Sequence, residues 1–153
     1  MSELVFLPLS GGQLHSWAET GRLPGSHTGY AVTSAMTGAF GLTDPEDAEY
    51  NALSIASVAG LLAHGERVVA VLDTGYRAGD DNFGAVELAD PGYDRVTALF
   101  GEDTDAAQAA AAALTVRGMT LDQAWEAPVV QALLTDRDLL WYGPAEWRLL
   151  GVH

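Results

Sequence analysis

Apolar residues cluster at Leu4-Val5-Phe6-Leu7 and Leu9, a run that reads as a buried strand over residues 4–9. Ser10 follows, with Gln13 three residues later, which is the spacing of a capping box. Leu14, Trp17 and Ala18 then share one helical face, and Gly21 stops that helix. A second strand is expected over 28–32, and Thr33 is placed to cap a short helix ending near Gly41. The clearest helix is predicted over 45–64. Asp44 suits its N-cap and Pro45 its first turn, while Ala48, Ala52, Ile55, Ala59 and Leu62 recur at spacings of three and four. Strands are predicted over 67–73, 83–89 and 95–100. Pro91-Gly92 at the centre of Asp90–Tyr93 suits a type II turn, so the last two are expected to pair antiparallel. The segment 74–82 reads as an exposed polar loop. Thr104 is expected to cap an alanine-rich helix running to Arg117 and Gly118. Thr120 with Gln123 repeats the capping-box spacing before a helix that Pro128 interrupts, and a further helical stretch covers 129–134. The apolar run 139–142 predicts a last strand, and 144–150 a short closing helix.

This order predicts an α+β fold in one domain over residues 1–153. It would have a single mixed, mostly antiparallel sheet with helices packed on one face, partly ferredoxin-like. The strand at Leu139 is apolar throughout, so it is expected inside the sheet. No internal repeat or linker divides the chain.

Composition narrows the function classes. The 153 residues include 21 acids, seven arginines, no lysine and no cysteine, for a net charge of −14. Without cysteine there are no disulfides, thiolate metal sites or thiol nucleophiles, which fits a reducing compartment. The acidity argues against nucleic-acid and anionic-membrane binding, since both need a cationic surface. An acidic DNA mimic is the opposite possibility, but the acids are spread along the chain rather than blocked. The N-terminus has no basic region before its short apolar run, and no apolar stretch approaches a membrane span. A cytoplasmic protein is the expectation.

Four stretches occur in a recognisable order: Val5-Phe6-Leu7-Pro8, Gly29-Tyr30-Ala31-Val32-Thr33, Glu46-Asp47-Ala48-Glu49-Tyr50, and Leu139-Leu140-Trp141-Tyr142-Gly143-Pro144-Ala145-Glu146. Through them the chain resembles an uncharacterised actinobacterial family, domain of unknown function 6912. The resemblance spans nearly the whole length and rests on the order of the stretches, not on one motif. It departs at 97–103, where a more polar strand with a histidine would be expected. The resemblance implies a small cytoplasmic protein and carries over no catalytic residue.

Few residues rise above their ordinary structural roles. Asp73-Thr74-Gly75 follows an apolar strand, as the catalytic aspartate does in aspartic proteases. A dimer would have to bring two Asp73 carboxylates together, with Leu149-Leu150-Gly151 as the accompanying element. Tyr76 in place of a small residue, the absence of a flap hairpin and the helical surroundings count against it, and a turn-capping aspartate suffices. Glu46 and Glu49 share a helix face and could act as acid and base or as oxygen ligands, although acids are also favoured at helix starts for the dipole alone. Tyr50 could approach Trp141, Tyr142 or Glu146 and form an aromatic, carboxylate-lined surface. The four histidines show no metal-ligand spacing, and Ser10-Gly11-Gly12 lacks the lysine of a phosphate loop. No metal or cofactor is expected.

The reading is a small binding or interaction protein with a protein partner. Its surface would comprise Glu46, Glu49, Tyr50, Trp141, Tyr142 and Glu146. The alternative is a small hydrolase using paired carboxylates, drawn from Glu46, Glu49 and Glu146 or from a dimeric Asp73.

Overall fold

The computed structural model of the protein describes residues 3–102 and 105–150. Strand β1 (Leu4–Leu9) leads through Ser10, whose side chain accepts from Gln13 N–H in a complete capping box, into helix α1 (Gly11–Thr20). The Glu66 carboxylate also accepts from Gly11 N–H at 2.6 Å, placing a negative charge on the positive helix end. After β2 (Ser26–Ala31), Thr33 caps α2 (Ser34–Phe40). Asp44 caps α3 (Pro45–His64), which Gly65 closes in the left-handed region. Strands β3 (Val68–Asp73), β4 (Ala85–Ala89) and β5 (Val96–Gly101) follow. Helices α4 (Ala107–Thr115), α5 (Leu121–Glu126) and α6 (Pro128–Asp136), strand β6 (Leu140–Tyr142) and a 3-10 helix (Pro144–Leu149) complete the chain. The Thr104 cap expected for α4 lies outside the described residues, and Ala107 N–H donates instead to the Asp105 carboxylate at 3.1 Å.

The fold is α+β, with one six-stranded antiparallel sheet in the order β4-β2-β1-β3-β5-β6. Strands β2 and β3 flank β1 and are both antiparallel to it, so they run parallel to each other. Helices α2 and α3 join them in a split βαβ unit, the ferredoxin-like part of the topology.

Alternation along the strands sends side chains to two cores. Val5, Leu7 and Leu9 with Ala70, Leu72 and Leu99 pack under Leu14 and Trp17 of α1 and under Trp147 and Leu150. Phe6, Val69 and Val71 pack on the other face beneath Met36, Ala52, Ile55 and Ala56. The main helical layer therefore lies on one face, as the residue pattern implies. The expectation of helices on one face is corrected by α1 and the closing 3-10 helix, which cover the other. The physical reason is that the central strands are apolar on both sides and each face needs a lid.

Two further expectations are corrected. Strands β4 and β5 do not pair: β4 adds to β2 and β5 to β3, with three strands between them. Gly92 has φ −89°, so the connection is not a type II turn. Asp90 exchanges hydrogen bonds with Gly25, and Trp17 Nε1–H donates to the Pro91 carbonyl at 3.0 Å. These bonds tie the connection to the α1–β2 turn and carry it across the sheet end. The Leu139 segment does not enter the sheet interior. Both neighbours of β1 and β3 are already taken, so the three-residue β6 adds at an edge of the sheet, outside β5, with Trp141 62% exposed.

Gly84 is held at φ +80°, and a Cβ there would lie 2.3 Å from the Ala31 carbonyl oxygen, whose own N–H bonds Gly84 O. Gly118 has φ +82° but open space around it. Gly118→Ala should cost about 1 kcal/mol for the left-handed backbone alone, and Gly84→Ala about 3 kcal/mol, read from urea unfolding midpoints. Equal losses would show that the contact with Ala31 is immaterial.

Tyr30 is buried, and burial, with Asp81 and Glu87 adding to it, pushes its phenol up to about 12. The unfolded chain loses this proton near pH 10 and the folded chain later. The stability it contributes is therefore complete below pH 10 and is lost as pH rises toward 12. Urea midpoints should fall over that window, and Tyr30→Phe should make the fall shallower. An unchanged slope would remove Tyr30 from this account.

Candidate functional site

Between α3, the sheet and the α6–β6 connection lies a cavity of about 690 Å³, within the size range of ligand sites. Its floor is the α3-side face of the sheet: Leu4 and Phe6 of β1, Val71 of β3, and Ala98 and Phe100 of β5. One wall is a stripe of α3, with Glu46, Glu49, Tyr50, Leu53, Ser54 and Ser57 at spacings of three and four. This stripe lies beside the alanine stripe that seats α3 on the sheet. The other wall is Leu134 of α6 with Arg137, Asp138 and Leu139. Small side chains at Ala98, Ser54 and Ser57 leave the volume open. The exposed lining residues Glu46, Glu49, Tyr50 and Asp138 put three carboxylates and a phenol at the mouth.

The inner end is held by Arg67, 1% exposed, whose guanidinium pairs through Nε with the Glu102 carboxylate, itself 5% exposed. Its NH2 group donates to the Arg137 carbonyl at 3.0 Å. One buried cation thus joins the start of β3, the segment after β5 and the end of α6. Arg137 turns outward to Asp105 at 3.1 Å. Tyr50 OH donates to Asp138 at 3.3 Å across the mouth. Partial burial holds the Tyr50 phenol above its ordinary value. The charge and hydrogen bond of Asp138 reinforce this, while Ser54 and Arg67 offset part of it. The phenol therefore stays a donor at neutral pH.

Strand β5 carries a bulge here. Val71 faces Ala98 while Leu72 faces Val96, so Thr97 is the extra residue. Its hydroxyl donates to Val71 O at 3.3 Å, and the residue lines the cavity.

The structure brings together Glu46, Glu49 and Tyr50 of the expected surface and separates the rest. Trp141 faces Phe100 across the β5–β6 pair, on the cavity's side of the sheet but outside its lining. Tyr142 packs against the opposite core. Glu146 accepts from Gly143 N–H at 2.8 Å, capping the closing helix. Asp73 lies at the end of β3, where its carboxylate accepts from Glu3 N–H at 3.2 Å. Leu150 packs in the α1-side core, and Gly151 lies outside the described residues. Among the described residues no group of three His, Asp or Glu side chains could hold a metal, and no helix is long and apolar enough to cross a membrane.

Sequence reasoning did not single out Ser54, Ser57, Arg67, Thr97 or Asp138. Two serines three apart inside an apolar helix, and an arginine directly before the apolar run 68–72, are signals that could have found the first three. Thr97 and Asp138 carry no such signal.

An antiparallel α+β sheet thus carries an acid-rimmed, apolar-floored cavity of ligand size beside its longest helix. The chain matches the family of unknown function DUF6912 over residues 4–150 and belongs to that family. No curated protein and no solved structure matches it.

Arg67→Met should destabilise the fold by roughly 3–5 kcal/mol, because the Glu102 carboxylate is left buried without its counter-ion. Arg67→Met with Glu102→Leu should recover most of that loss in urea unfolding. A double variant as unstable as the single one would mean that packing, not the ion pair, sets the cost.

Proposed function

We propose that this chain is a binding protein and that the cavity beside α3 is where it holds a cationic, partly apolar group of a protein partner. The observation that carries this reading is the mouth: Glu46, Glu49 and Asp138 stand exposed above an apolar floor. A ligand entering there buries a hydrocarbon portion on Phe6, Phe100 and Leu134 and leaves its charge among carboxylates. The net charge of −14 adds long-range attraction for a basic partner. The alternative, hydrolysis by paired carboxylates, keeps Glu46 and Glu49 on one wall but has Glu146 engaged as a helix cap. Glu46 and Glu49 lie in the first turns of α3, where the dipole already favours their charge.

Hexylamine, hexanol and hexanoate, compared by NMR titration, test the cavity directly. The amine should shift the amides of Tyr50, Ala98 and Phe100 saturably, and its affinity should fall as salt is raised. Glu46→Gln with Glu49→Gln should weaken it roughly tenfold, equivalent to about 1.4 kcal/mol. Hexanoate binding as well as hexylamine, or shifts scattered away from these residues, would sink the reading.

A further inference from the structure

The sheet ends in β6, and among the described residues no strand pairs with its outer side. Leu140 is 45% and Trp141 62% exposed, large values for apolar residues in a strand. Its two faces differ in character. Trp141 pairs with Phe100 and so stands on the cavity side, next to the segment that supplies Asp138. Leu140 pairs with Gly101, which faces Leu150, so Leu140 stands on the opposite side with the closing helix, where Leu149 is 63% exposed. An extended chain laid beside β6 would therefore meet an indole and carboxylates at every second residue and leucines at the residues between.

We propose that β6 is the docking edge for an extended segment of a partner protein that alternates basic and apolar residues and joins the sheet as a seventh strand. Its backbone would pair with β6, its basic side chains would lie over Trp141 toward Asp138 and Glu46, and its apolar ones against Leu140 and Leu149. Charge selects this occupant over a second copy of the chain, since edge-to-edge pairing would bring together two molecules of −14 each and no lysine. The proposal rests on the reading of the cavity mouth as a cation site and adds the strand geometry to it.

The probe is a blocked octapeptide alternating arginine and valine, with two isomers N-methylated at every arginine or at every valine. N-methylation of alternate residues removes the N–H groups along one edge of the added strand only. The unmodified peptide should bind and shift the β6 amides. One isomer should bind nearly as well, and the other at least tenfold more weakly. Trp141→Ala should weaken the unmodified peptide by a similar factor. Equal binding of both isomers overturns strand addition while the cation site stands. Binding of hexylamine without the peptide also overturns it, and failure of both probes removes the cavity reading too. A doubled mass in sedimentation, with peptide unable to compete, would assign the edge to a second copy instead.

Discussion

The buried Arg67 guanidinium is the constraint on which the cavity depends. In a chain with seven cations and a charge of −14, one arginine is withdrawn almost completely from water. Such a charge persists only if it is paired and hydrogen-bonded, and the Glu102 carboxylate and the Arg137 carbonyl serve as its partners. Arg67 and these two partners come from three places far apart in sequence: the start of β3, the end of β5 and the end of α6. Their convergence holds the α6–β6 connection at a fixed distance from the sheet. Leu134, Asp138 and Leu139 then form a wall over the floor instead of collapsing onto it.

Side-chain size completes the cavity. Helix α3 is buried on almost every side from Ala52 to Leu61. Its alanines let it sit close to the sheet, while Ser54 and Ser57 lie on the flank that faces the α6–β6 segment. Ser57 satisfies its hydroxyl within the helix by donating to Ser54 O at 2.7 Å. The hydroxyls are therefore tolerated in an apolar setting and add no bulk. The bulge at Thr97 bends β5 at the same point. Low volume on the helix, a bend in the strand and a pinned connection together account for the open space.

The mouth follows from a different constraint. Acids in the first turns of α3 meet the positive end of its dipole, so their repulsion is partly offset at the site where they gather. Asp138 joins them only because the α6–β6 connection returns over α3, and the Tyr50 hydroxyl links the two sides. The carboxylates of the mouth thus come from helix capping preference at one end and from tertiary return at the other.

Local chemistry made the elements legible. The capping boxes at Ser10 and Thr120, the Asp44-Pro45 start of α3 and the glycines that end α1, α2 and α3 are short-range effects, readable within a few residues. Part of the candidate site was legible for the same reason, since Glu46, Glu49 and Tyr50 lie on one helical face by spacing alone. Strand order, the edge position of β6, the second helical face of the sheet, and the meeting of Arg67 with Glu102 and Asp138 with Tyr50 were decided by tertiary structure. An apolar run such as Leu139–Tyr142 looks the same whether it will be central or marginal. Its place depends on which strand edges the rest of the chain has already filled, and no window of local sequence contains that information.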